Sequence, residues 1–397
     1  MFEHVDAYAG DPILTLNENF QKDPRSDKIN LSIGIYFDDA GRLPVMAAVR
    51  EAESQLAQAI GPRSYLPMLG LPDYRVQVQR LLFGAEHAAV REGRVVTLQT
   101  LGGSGGLKVG GDFLKKYFPG SAVWVSDPTW DNHRAMFEGA GFPVHTYPYY
   151  DPATGGLRFA DMLETLRGLP RHSIVLLHAC CHNPTGVDLS PAQWRELIPV
   201  LVERELLPYV DIAYQGFGDG IAEDADALRA LADSGLAFFV ANSFSKSFSL
   251  YGERVGGLSV VCPTAAEARL VEGQLQMAVR KNYSSPPTHG ARIVARVLGT
   301  PALQQQWSDE LGAMRQRIQA MRQRLHAVLG EMLPGRDLGY FLSQRGMFSY
   351  TGLSAAQVDT LREVHGVYLV RSGRMCVAGL NSGNVEATAR AMAAVLK

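Results

Sequence analysis

Lys246 stands in the segment Ser243-Phe-Ser-Lys-Ser-Phe-Ser-Leu-Tyr-Gly-Glu-Arg-Val-Gly-Gly257, which is rich in hydroxyls, aromatic rings and glycine and carries no amphipathic helical pattern. An amine partly withdrawn from water near other cations holds its proton less tightly and becomes a usable nucleophile and base. Taken alone, the same residue reads equally as a solvent-facing surface lysine. Arg254, eight positions later, has the planar fork that grips a phosphate through two parallel hydrogen bonds. Asp211 ends the apolar run Pro208–Val210. An acid there is costly to bury unless a cation or donor meets it; a pyridinium nitrogen is one such partner, and a helix cap or surface ion pair is the plain alternative.

Two further segments carry candidate chemistry. Leu101-Gly-Gly-Ser-Gly-Gly-Leu107 follows a β-rich run and leads into an amphipathic helix. Glycines let backbone approach an anion, and a helix N-terminus offers free N–H groups, so Gly103 and Ser104 belong to a candidate phosphate cradle. The segment matches neither the dinucleotide fingerprint nor the P-loop, because Lys108 stands where the former needs glycine and no Gly-Lys-Ser/Thr follows; a simple tight turn stays open. In His182-Asn-Pro-Thr-Gly186, Asn183 could donate from its amide to a phenolate or carbonyl oxygen, or the stretch could only turn the chain.

These segments need strands to hold them. Short β-rich runs at Val95–Gln99, Ala122–Ser126, Val144–Pro148, Ser173–His178, Pro208–Asp211, Phe238–Asn242 and Gly257–Val261 alternate with helical patterns at Leu107–Tyr117, Pro191–Glu205 and Asp224–Asp233. That alternation predicts an α/β fold, a mostly parallel seven-stranded sheet covered by helices with one late strand antiparallel. In such sheets ligands bind outside the carboxyl ends of the strands, where the candidate residues fall. A stripe of Trp307, Leu311, Met314, Ile318, Met321, Leu325, Val328 and Met332 predicts one long helix near 302–332, with Arg315, Arg317, Arg322 and Arg324 on a solvated face. Beyond it, Tyr340–Tyr350 and Val367–Val377 read as strands and Val385–Leu396 as a terminal helix. The expected division is a large domain over 45–310 and a smaller α+β domain formed by the N-terminal arm 1–44 and 311–397.

With 46% hydrophobic and 20% charged residues the chain reads as an ordinary globular protein, and its length exceeds what one core usually supports. A net charge of -2 gives no global attraction to nucleic acid or anionic lipid. Cys180, Cys181, Cys262 and Cys376 have neither disulfide density nor zinc-site spacing, so no metal is expected and a reducing compartment fits. With no apolar run approaching about 20 residues and no basic-then-apolar leader, the expected location is the cytoplasm, without membrane or nucleic-acid partners.

The motifs GGSGGLK, SDPTWDNH, HACCHNPTG, DIAYQGF, NSFSKSFSLYGERVGG, RKNYSSPP, QRGMFSYTGL and SGRMCVAGLN occur in an order that resembles the class I aspartate and aromatic aminotransferases, fold-type I pyridoxal-phosphate enzymes. The resemblance runs nearly end to end and lies nearest the bacterial aromatic branch. It implies pyridoxal 5'-phosphate as cofactor, held as a Schiff base by Lys246. Asp211 would pair with the pyridine nitrogen, with His133 and His178 behind it, although lone histidines are more often satisfied core residues. Asn183 and Tyr214 would bond the cofactor's 3-oxygen, Trp130 would stack on its ring, and Gly103, Ser104, Ser243, Ser245 and Arg254 would surround its phosphate. Tyr65 would reach that phosphate from a neighbouring subunit, which implies a homodimer with shared active sites. Arg374, with Asn183 and the Gly34 backbone, would clamp the substrate α-carboxylate, and the neighbour's Arg280 would meet a distal carboxylate.

The implied reaction is ping-pong transfer of an amino group from aromatic or dicarboxylic amino acids to 2-oxoglutarate; a mainly aspartate-directed enzyme is the alternative. Ile35, Phe37, Leu43, Ser104 and Ser285 stand where aspartate-specific relatives usually carry Val, Lys, Thr, Thr and Asn, giving a more apolar and slightly roomier pocket that suits a ring. Ser64 departs from the bulky leucine of the aromatic branch, and Gly106 replaces a usual alanine. A decarboxylase or β-lyase on the same fold is a rival; Arg374 argues against decarboxylation, since a carboxylate gripped by arginine is stabilised as an anion. A ligand-sensing transcription regulator is the rival of another class, and the acidic balance gives it no support.

Overall fold

Seven strands form one sheet: β1 (Val95–Leu101), β2 (Val123–Asp127), β3 (Val144–Pro148), β4 (Ile174–His178), β5 (Leu207–Ile212), β6 (Phe238–Ser243) and β7 (Val255–Val261), in the spatial order β1-β7-β6-β5-β4-β2-β3. The computed structural model describes all residues except Ala9, Ile60 and Arg63. All neighbours pair in parallel except β7, which runs antiparallel to both β1 and β6. β7 reverses because it joins β6 through the short Lys246 segment, closed by a Phe244 N–H to Val255 O bond of 3.0 Å, rather than through a crossover helix. Every residue of β5, β6 and β7 is buried, as expected for a sheet covered on both faces.

The covering helices follow from local signals. Pro191–Glu203 starts with a reciprocal capping box between Ser190 and Gln193 and with proline at its first position. Gly102–Tyr117 packs on the sheet, where Leu107, Val109, Phe113 and Leu114 join Leu98, Val125, Leu176, Tyr209 and Leu258 in one core. Here the sequence reading needs correction: the glycine-rich segment does not precede the helix but forms its first turns. The close packing requires it, since a Cβ on Gly106 would stand 2.8 Å from Gly257 O.

The chain divides into two compact units, one of residues 44–317 with 344–346 and one of residues 1–43, 318–343 and 347–397. The helix Pro301–Met332 contributes residues to both. On it Arg322 departs from the expected solvated face: it is 4% exposed and donates to Ser349 Oγ at 2.6 Å and to Phe348 O and Phe341 O. The smaller unit pairs Ile29–Asn30 in parallel with Val367–Tyr368, and Phe348–Tyr350 antiparallel with Arg374–Cys376. Both expected late strands are broken. Tyr340–Ser343 is a helical turn, and Gly373, at φ 89°, reverses the chain between Val367–Tyr368 and Arg374–Cys376. The terminal helix is Val385–Leu396. Among the described residues no helix is long and apolar enough to cross a membrane.

Candidate active site

Asp211 lies in β5 beside His178 of β4 and is 7% exposed. His133, fully buried, places Nε2 2.9 Å from Asp211 Oδ2 and Nδ1 2.9 Å from Thr129 Oγ1. Burial alone would raise the Asp211 carboxyl. The His133 hydrogen bond and the nearby His133, His178 and Lys246 outweigh burial and hold it below the usual carboxylate value, so it stands ionised and His133 Nε2 must be the donor. The His178 ring lies 5.3 Å from that of His133, and burial brings it down to about 3, which keeps it neutral. The sheet thus presents a fixed negative charge at a strand end, backed by an oriented imidazole.

Lys246 follows β6 in a turn, half-buried, with Nζ 5.2 Å from the Tyr214 ring centroid. Tyr214, two positions beyond β5, is 6% exposed. Asn183, 6% exposed, sits in the turn after β4. Around the start of the Gly102–Tyr117 helix, Ser243 Oγ lies 3.1 Å from Ser245 Oγ, and Arg254 Nη1 lies 3.4 Å from Ser245 Oγ. Arg254 sits at φ 53° and takes the Gly102 N–H on its carbonyl at 2.9 Å. A Cβ on Gly102 would stand 2.6 Å from Arg254 Nη2, and one on Gly103 would stand 3.3 Å from Ser243 Cβ. The helix carries no acid in its first turn and no side-chain cap, and its start lies against Ser243 and Arg254, a hydroxyl and a guanidinium suited to a phosphate dianion. An anion cradle, an amine and an ionised carboxylate at neighbouring strand ends fit a phosphorylated pyridine aldehyde.

Trp130 immediately precedes the helix Asp131–Gly139 and meets His133 edge to face at 5.2 Å. In the smaller unit Arg374 is 5% exposed, donates to Ser32 O at 2.8 Å and lies 4.4 Å over the Phe348 ring. Gly34 leaves room for that ring, since a Cβ there would be 2.9 Å from Phe348 Cζ. Ile35 and Phe37 are half-buried in this unit, and Leu43 is 45% exposed. Tyr65 is 92% exposed, and exposed Arg280 bonds Ser284 Oγ; neither is gathered into the strand-end cluster of its own chain.

The sequence reading missed the groups that hold these turns. Asp188 takes the Cys181 and His182 N–H groups at 2.7 Å each, just before Asn183. His182 is held between Ser126 and Thr185 hydroxyls, each at 2.8 Å, and stacks on Tyr149 at 4.1 Å. Asp224 takes the N–H groups of Gly216, Gly218 and Asp219 at 2.8–2.9 Å, fixing the loop after Tyr214. An acid five to eight positions from the N–H groups it takes has no distinctive spacing, so no simple signal could have found these.

The fold and site define a transferase that works through a phosphorylated pyridine cofactor. The chain belongs to the class I and II aminotransferases, whose family model matches residues 26–392, and pyridoxal 5'-phosphate is its cofactor. It is 62% identical over 397 residues, all of both chains, to the aromatic-amino-acid aminotransferase of Escherichia coli (strain K12). It also superposes on the aromatic-amino-acid aminotransferase of Burkholderia pseudomallei, covalently bound to pyridoxal phosphate, with a TM-score of 0.98 and 52% identity over 100% of both chains. The aromatic amino acid aminotransferase of Psychrobacter sp. B6, cocrystallised with aspartic acid, gives a TM-score of 0.99 and 53% identity over 100% of both chains.

Proposed function

We propose that this aminotransferase moves the amino group of tyrosine, phenylalanine, tryptophan, aspartate and glutamate to 2-oxoglutarate, alternating between the two substrates in a ping-pong cycle. The observation that carries the reading is the convergence of Lys246, ionised Asp211 and the Gly102–Arg254 cradle at adjoining strand ends. When bound, pyridoxal phosphate supplies a carbonyl carbon to carry the amino group and an electron-accepting ring. The chain's residues do the rest. Asp211 would keep the ring nitrogen protonated, with the His133 hydrogen bond helping to keep Asp211 ionised and aimed. Asn183 and Tyr214 would donate to the 3-oxygen, Ser243, Ser245, Arg254, Gly103 and Ser104 would hold the phosphate, and Trp130 would cover the ring. The Lys246 amine would hold the cofactor at its carbonyl carbon and, once freed, would serve as the base that moves the substrate Cα proton. Arg374 would take the substrate α-carboxylate.

The aromatic range is supported by 62% identity to an aromatic-amino-acid aminotransferase and by the apolar Ile35, Phe37 and Leu43. Arg280 supports the dicarboxylates, as does a 53% identical aromatic enzyme cocrystallised with aspartic acid. The outward-facing Tyr65 and Arg280 support a homodimer in which each chain completes the other's site. Four buried cysteines, too few and too scattered for a disulfide framework, suit a reducing compartment, and we place the protein in the cytoplasm.

Lys246→Ala is expected to abolish both the visible absorption of bound cofactor and transamination. Wild-type turnover of that variant with tyrosine and 2-oxoglutarate would falsify the mechanism. Specificity is tested by kcat/KM for phenylalanine, tyrosine and aspartate with one acceptor; an overwhelming preference for aspartate refutes the aromatic half.

A further inference from the structure

We propose that Gln99 is the positioning residue that sets, from one chain, both segments serving the neighbouring subunit's active site: the turn after Tyr65 and the loop after Arg280. The proposal rests on the shared-site reading above.

β1 is an edge strand of the sheet, with β7 on one side only. Its outward carbonyls recur at every second residue and are met by side chains: Val95 O by Gln79 Nε2 at 3.0 Å, Thr97 O by Arg75 Nε at 2.6 Å, and Gln99 O by Tyr283 OH at 3.4 Å. At Gln99, which is 1% exposed, the other polar groups are also engaged. Its N–H donates to Leu69 O at 2.9 Å, its Oε1 accepts the Leu71 N–H at 3.2 Å, and its Nε2 donates to Pro287 O at 2.6 Å. One buried amide thus ties segment 69–71 to segment 283–287. Gly70 between the two leucines sits at φ 90°, and a Cβ there would stand 2.3 Å from Gln99 Cβ, so this backbone is pressed directly onto the glutamine.

Both tied segments adjoin the outward-facing residues. Leu69 follows Tyr65 by four positions, and the turn between them closes with Gly70 N–H to Pro67 O at 2.8 Å. Pro287 follows Arg280 by seven positions, past Ser284 and Ser285, whose N–H groups bond Val279 O and Tyr283 O. A side chain that faces solvent has little packing of its own to fix it, so its reach is set by the anchoring of its backbone. A glutamine side chain suits the task because one rigid amide offers an acceptor and a donor in fixed geometry.

The test uses holoenzyme dimers. With Gln99→Met, KM for aspartate is expected to rise about fivefold and the cofactor to dissociate faster by a similar factor, as for loss of one or two buried hydrogen bonds, while kcat with phenylalanine stays within about twofold. Two hybrid dimers then separate the chains. In the first, a Gln99→Met chain is paired with a Lys246→Ala chain, so the working lysine receives undisturbed segments. In the second, a chain with both substitutions is paired with an unaltered chain, so the working lysine receives disturbed segments. A raised aspartate KM in the second hybrid only supports the proposal. Equal KM values in the two hybrids overturn it, since Gln99 would then act within its own chain or through stability alone. Tyr65→Phe, placed in the same two arrangements, tests the underlying reading: if its cofactor loss follows the chain's own lysine, the shared site itself is wrong and the proposal falls with it. Should Gln99→Met fail to give a folded dimer, Gln99→Asn, which keeps the backbone bonds but shortens the reach, is read by the same comparison.

Discussion

Asp211 and Asp188 are carboxylates at neighbouring strand ends, one in β5 and one in the turn after β4, yet their surroundings drive them in opposite directions. Asp211 meets an imidazole and lies near an ammonium, which outweigh burial and hold it ionised. Asp188 keeps some exposed surface, but its carboxyl group is turned onto the Cys181 and His182 N–H groups; burial pushes it up to about 6, and those two hydrogen bonds pull it down only in part. At Asp188 two neutral amide donors do not offset the cost of burial, whereas at Asp211 an imidazole donor and a nearby ammonium do. The first arrangement serves chemistry and the second serves placement.

Breaking the Asp211 side of this pair has the largest expected effect. Asp211→Asn removes the charge proposed to keep the cofactor nitrogen protonated, and kcat is expected to fall by about 10²–10⁴. Asp211→Glu, which keeps the charge at altered reach, should recover part of it. An Asp211→Asn variant with unchanged kcat would show that the charge is irrelevant. His133→Gln acts one step back. It removes an oriented imidazole donor, so kcat should drop about tenfold to a hundredfold, as for losing a charge-assisted hydrogen bond, and the acid limb of the pH profile should move to higher pH because burial of Asp211 is then opposed only by His178 and Lys246. An unmoved acid limb contradicts the link between the two residues.

Asp188 gives the smallest effect on rate and a distinct effect on stability. Its folded value of about 6 lies above the ordinary 3.8, so between these values the folded chain retains a proton that the unfolded chain has released. Its contribution to stability is therefore full below the unfolded value and is lost as pH rises through about 6. Asp188→Asn is expected to flatten this part of a urea-midpoint-against-pH curve while changing kcat less than about tenfold, since one acceptor oxygen remains. Asp211 works in the opposite sense: its contribution is present above the ordinary 3.8 and lost as pH falls through its lowered value. An Asp188→Asn curve with the wild-type slope would show that the two carboxylates do not differ as described.

The strands and their ends were legible because a sheet covered on both faces needs continuous apolar runs, and those runs stop where polar chemistry begins, as at Asp211 and Ser243. Tyr340–Tyr350 and Val367–Val377 were read less well. Short apolar stretches there serve a helical turn, strands of two or three residues and a glycine reversal alike, and only packing chooses among these. Arg322 shows the same limit on a helix. Its place off the apolar stripe predicted solvent, but Ser349, Phe341 and Phe348 supply the acceptors that let a guanidinium stay buried.

By itself the sequence determined the residue types available for chemistry, the family, and the strand ends on which Lys246, Asp211 and Arg254 fall, because each depends on local pattern or motif order. Tertiary structure alone decided which carboxylate is charged and which turn is tied to which. The His133–Asp211 contact spans 78 positions and the Gln99–Pro287 contact 188, distances over which no periodicity carries information and only the packed sheet brings donors to acceptors.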